Sequence, residues 1–195
     1  MKMRSAALVL AFVAGLGSGR GRAADEQVKP VSGLQARDIA AKVIAPEHRG
    51  NVIAILGPRV DTHHSPLDWY VWFYVPGAAQ QGRRVHVVGD QVRSLKEGVT
   101  EVRRIRFVPY KPAEVIPASE MAFDTPQILE TVRGLAPLKD LKIVGTSFEL
   151  RQSPSYGQPV WSVDVHVLRG GDVSKFGRVI VAARTGQVLA IQKSE

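Results

Sequence analysis

Residues 69–75, Trp-Tyr-Val-Trp-Phe-Tyr-Val, constrain the fold more than any other stretch, because every one of them is aromatic or β-branched. Such residues suit a pleated strand, whose side chains alternate between two faces. Trp69, Val71, Phe73 and Val75 then share one face, and Tyr70, Trp72 and Tyr74 the other. One face can be a core. The other is an aromatic ridge that needs a cover, since leaving its rings in water forfeits ~1.5–3 kcal/mol for each large apolar side chain. Three covers are open: another part of the chain, a second protein chain, or a small ligand stacked on the rings.

The first 24 residues read as a secretory signal peptide. Met1–Arg4 is a short basic start, residues 5–16 are apolar, and Gly21-Arg22-Ala23 offers small residues before a cut at Ala24. The apolar run is shorter than the ~20 residues a membrane span needs. The expectation is a periplasmic or secreted protein with no stable membrane anchor after cleavage. The whole chain carries 26 basic and 18 acidic residues. The leader holds Lys2, Arg4, Arg20 and Arg22 and no acid, so removing it leaves a mildly basic chain of net +4. That charge does not call for nucleic acid. There is no cysteine, which excludes disulfides, thiolate metal sites and cysteine nucleophiles.

From Ser32 onward the pattern runs twice. Residues 34–45 have helical spacing, with Ser32 as cap and Pro46 as stop. Residues 51–56, 69–75, 84–88 and 92–95 read as β runs. From Thr125 a second helix follows, with Asp124 or Thr125 as cap and Pro126 in its first turn. Residues 141–150, 160–168, 178–182 and 187–191 are strand-like. The expected fold is α+β: two repeated α-β-β-β units, each a helix packed on its own small antiparallel sheet. The units span 32–98 and 125–195, joined by a proline-rich linker over 99–124.

The pattern in 159–165 and in 179–189, which ends on the Thr185-Gly186 turn, resembles the PepSY domain. Ala182 stands where that family commonly has Asp, and the first unit matches less closely. The resemblance implies a non-catalytic module that binds or restrains another exported protein, for example a peptidase.

Candidate sites follow. Tyr70, Trp72 and Tyr74 are the expected protein- or ligand-binding residues. In the loop Asp61–Asp68, His63 and His64 are the best metal candidates, with two carboxylates nearby. Asp164 and His166 share a strand face as an acid–base pair needs, but no nucleophile motif completes it. No cofactor is expected, and no enzyme activity. The partners expected are another exported protein or a second copy of the chain. The alternative function is a small-ligand or metal sensor of the cell envelope.

Overall fold

The computed structural model describes residues 29–59, 66–97 and 109–194. Helix α1 is Gly33–Ala41 and helix α2 is Thr125–Arg133. Strands β1 (Val52–Gly57), β2 (Asp68–Tyr74), β3 (Gly82–Val88) and β4 (Gln91–Glu97) follow α1. Strands β5 (Lys142–Ser153), β6 (Gln158–Arg169), β7 (Asp172–Ala182) and β8 (Val188–Lys193) follow α2. All eight form one antiparallel sheet in the order β4-β3-β2-β1-β5-β6-β7-β8.

This corrects the expected fold. The chain does not build two α-β-β-β units, each with its own small sheet; it builds one mostly-β sheet. The cause lies in β1. Its buried side chains include Val52 and Ile55, which join the main core, and Ile53 and Ala54, which join a second cluster on the opposite face. As the last strand of a separate sheet, β1 would expose an unguarded apolar edge. Pairing Ala54–Gly57 with Phe148–Arg151 of β5 removes that edge from both halves at once.

The main core lies on the face that carries both helices. Trp69 and Trp161 are fully buried there and occupy matching places in β2 and β6. Each indole N–H donates to a backbone carbonyl just ahead of a helix, Trp69 Nε1 to Val31 O and Trp161 Nε1 to Phe123 O, both at 2.9 Å. Phe148 sits between the rings, 6.3 Å from each. Volumes compensate across the two halves. Beneath α1, Phe73 in β2 faces a helix of small buried residues, Ala36 and Ala40. In the second half the smaller Val165 accompanies Ile128 and Val132 of α2. Large on strand with small on helix, or the reverse, fills each space to similar density.

The helix starts lock together. Ser32 and Asp124 are the two N-caps, each in a reciprocal capping box with the Gln three residues on. Asp124 Oδ1 accepts from Thr125 N at 2.7 Å and from Leu34 N of the other helix at 3.0 Å, while Ser32 Oγ donates to Asp124 Oδ2. Thr125 Oγ1 accepts from Gly33 N at 3.1 Å. Gly33 has no room for a side chain: a Cβ there would stand 2.8 Å from Trp161 and 3.2 Å from Trp69.

Residues 109–124, read from their prolines as linker, are packed. Tyr110, Ile116 and Met121 are buried. Tyr110 belongs to the small cluster on the helix-free face, and Ile116 to the main core. Ile116 N donates to Val52 O at 2.7 Å. The segment therefore passes around the end of β1 from one face of the sheet to the other.

One carboxylate caps two helices, so Asp124→Ala should cost roughly 2–4 kcal/mol, about two caps' worth, against about 1 kcal/mol for Ser32→Ala. Urea unfolding of the two variants checks the ratio; equal costs would mean that Asp124 serves α2 alone.

Candidate functional site

The helix-free face shows what meets the aromatic ridge. Strand register places Ser94, His86, Tyr70, Leu56, Glu149 and Ser162 in one row across six strands. The ridge residues Tyr70, Trp72 and Tyr74 fall on this face, as alternation requires, but they do not behave alike. Trp72 is fully buried with Ile53, Ala54 and Tyr110, while Tyr70 and Tyr74 are half-buried at the rim of that cluster. Trp72 is thus an interior residue and cannot touch a partner directly. Unlike the other two tryptophans, its indole N–H is buried without an acceptor among the described residues.

The cover comes from the joining segment. Tyr110 lies over Gly82, where a Cβ would stand 2.6 Å from its ring. Tyr110 N donates to Gln80 O at 3.0 Å. Gln80 and Gln81 both hold left-handed backbone (φ 52° and 54°), a conformation that costs ~1–2 kcal/mol for a non-glycine residue. The turn turns that strain to use: Gln81 O accepts from Val75 N at 3.0 Å, and Gln81 Oε1 accepts from Tyr74 Oη at 2.9 Å. Sequence reasoning missed Tyr110. The signal present was a large aromatic among prolines in a segment otherwise read as connection.

Beside this plug the face opens. The His86 ring stacks on Tyr70 at 4.5 Å with an interplanar angle of 7°. The guanidinium of Arg84 lies 5.2 Å from the centre of the same Tyr70 ring. His86 Nε2 is 3.2 Å from Asp68 Oδ1. Tyr70 is therefore held by two neighbours from β3 and stays partly exposed.

The second half of the face is polar. Asp164 accepts two hydrogen bonds from Arg178, at 2.9 and 3.0 Å, and lies 3.0 Å from Lys175 Nζ. Register explains this: Arg178 is directly opposite Asp164, and Lys175 is opposite His166. The acid of the suggested Asp164–His166 pair is therefore committed to two cations. Burial alone would raise the Asp164 pKa. The hydrogen bonds from Arg178 and Lys175, with their charges, outweigh it and hold the carboxyl below its ordinary value. Arg178 is correspondingly raised, chiefly by its hydrogen bond to Asp164. Glu149 and Arg151 form another ion pair on this face.

His63 and His64, the metal candidates, lie outside the described residues. Among the described residues no group of three or more His, Asp or Glu is arranged to hold a metal ion. Nor is any described helix long and apolar enough to cross a membrane. Clefts among the described residues include two shallow ones of about 400 Å3. One adjoins the helix starts, where Ser32, Gln35, Asp124 and Gln127 are engaged in capping. The other lies between Ile53, Glu114, Arg151 and the β5–β6 turn.

Compared with known protein families, curated proteins and solved structures, the chain matches none.

Tyr110→Ala should expose Trp72 and cost about 3 kcal/mol. Acrylamide quenching then reads the exposure directly, because the other two tryptophans stay buried; unchanged quenching would show that Tyr110 is not the lid. The depressed Asp164 carboxyl contributes stability that is present above the ordinary carboxylate range and lost as pH falls through its folded value. Wild type should therefore melt above Asp164→Asn at pH ~6, and the gap should shrink as pH falls below the ordinary carboxylate range. A gap independent of pH in thermal melts would overturn the assignment.

Proposed function

We propose that the chain is a non-catalytic binding module, exported to the periplasm or the medium, that docks another exported protein and restrains it. A peptidase is the kind of partner that the PepSY-like pattern of 159–165 and 179–189 implies. The observation that carries the reading is the layered group Arg84–Tyr70–His86 on the helix-free face. Tyr and Arg are the side chains that most often dominate interface energies. Here they are fixed in place before any partner arrives, so little ordering entropy is lost on binding. Tyr74 extends the same surface, and its hydroxyl is fixed by Gln81. Trp72 supports these residues from beneath.

The test starts from the tagged chain incubated with envelope and culture-supernatant proteins, with retained proteins identified by mass spectrometry and then titrated singly. The partner should lose ~30-fold or more in affinity to the Tyr70→Ala, Arg84→Ala double variant, equivalent to about 2 kcal/mol at one hot spot. Glu130→Ala, on the outer side of α2 with 72% of its side chain exposed, should bind normally. The proposal fails if no protein is retained, or if the double variant keeps its melting temperature and its full affinity.

A further inference from the structure

Charge on the helix-free face is balanced within the second half of the sheet and not within the first. In the second half one row runs Ser147, Asp164, Arg178 and Gln192 across β5 to β8. Its cation faces its acid, and Lys175 adds to the same carboxylate. The matching row of the first half runs Ala54, Trp72, Arg84 and Lys96 across β1 to β4. Arg84 stands where the second half has Arg178. Trp72 stands in the place of Asp164, and Lys96 in the place of Gln192. The first row therefore lacks the acid and has an added cation.

Like charges directly opposite on neighbouring strands repel, so the Arg84–Lys96 pair costs stability in the free chain. Strands β2 to β4 contain two acids, and neither lies in this row. Glu97 pairs with Arg83 on the opposite face, and Asp68 lies 3.2 Å from His86 Nε2. Lys96 is exposed on the outer strand, and the Arg84 guanidinium lies 5.2 Å from the centre of the half-buried Tyr70 ring. Two cations and an aromatic ring thus meet at one corner of the face.

We propose that this corner takes an acidic segment of the partner protein, with a Glu or Asp carboxylate beside Arg84 and Lys96 and an apolar side chain against Tyr70. The inference rests on the docking function proposed above and gives its partner a chemistry. The incoming carboxylate supplies from outside what Asp164 supplies within the second half. Arginine combines ring stacking with carboxylate binding, and lysine adds a mobile point charge. Opposite charge across an interface also steers the encounter and excludes basic competitors. The repelling pair is retained because its relief comes with the partner.

The probe is the capped peptide Glu-Glu-Leu-Glu-Glu, titrated into the isotope-labelled full chain and followed by NMR. Signals of Tyr70, Arg84 and Lys96 should shift, and replacing the peptide's Leu by Ser should weaken binding. Lys96→Gln should weaken it about threefold and Lys96→Glu about tenfold or more. Lys96→Glu sets an acid opposite Arg84, as the second half does with Arg178, so it should melt no lower than wild type. Lys139→Glu, which changes net charge equally at an exposed site between α2 and β5, should bind as wild type. The proposal is overturned if no signal shifts, if the shifts fall outside β2 to β4, or if Lys96→Glu and Lys139→Glu weaken binding equally. It is also overturned if inorganic polyphosphate or phosphatidylglycerol vesicles bind at least as tightly as the peptide. A captured partner that loses affinity to the Tyr70→Ala, Arg84→Ala variant but not to Lys96→Glu would leave the docking function standing and overturn the acidic segment alone.

Discussion

The carboxylate of Asp124 is the interaction on which the rest of the structure depends. Two short helices, nine residues each, start at almost the same point in space. Their first backbone N–H groups need acceptors, and isolated helices of this length are not stable in water. Asp124 answers for both: it caps its own helix, accepts from Leu34 N of the other, and receives the Ser32 hydroxyl. The positive ends of two helix dipoles converge there, and one negative charge sits between them. Behind this knot the two tryptophans hold the segments leading into the helices by bonding the carbonyls of Val31 and Phe123. Gly33 is where the arrangement is tightest, because both indoles close on its α-carbon.

Much of this was visible in the residue types. The alternation of 69–75 and 160–168 marks core and outer faces correctly, because side-chain direction in a strand is fixed by geometry and not by context. Ser32 and Asp124, each followed three residues later by Gln, carry the signature of a helix start. Pro126 in the first turn of α2 was equally plain. The Asp164 face was readable as polar, though not as a clamp, since its cations arrive from β7 by register.

What could not be read was which pieces share an edge. Periodicity describes the faces of a strand and is silent about its neighbours. The apolar run of β1 suits a strand buried on both faces, yet only the pairing with β5 shows why it needs to be. The Tyr110 lid was hidden for a related reason. Its role depends on a turn with two left-handed glutamines that brings Gln80 O to its amide, and no local pattern forecasts such a turn in non-glycine residues. Trp72 is therefore a buried floor, where strand alternation alone expects an outward-facing ring.

The path of residues 109–116 around the end of β1 bears on the order in which the molecule assembles. The lid over Trp72, the donor to Val52 O and β5, one of the two neighbours of β1, all come from chain that is made later than β1 to β4. The first half thus cannot reach its final packing on its own as it is synthesised. Its decisive contacts are of long sequence separation, which slows folding and leaves apolar surface open in the meantime. Assembly is accordingly a late event, closing at the central seam once the second half is present.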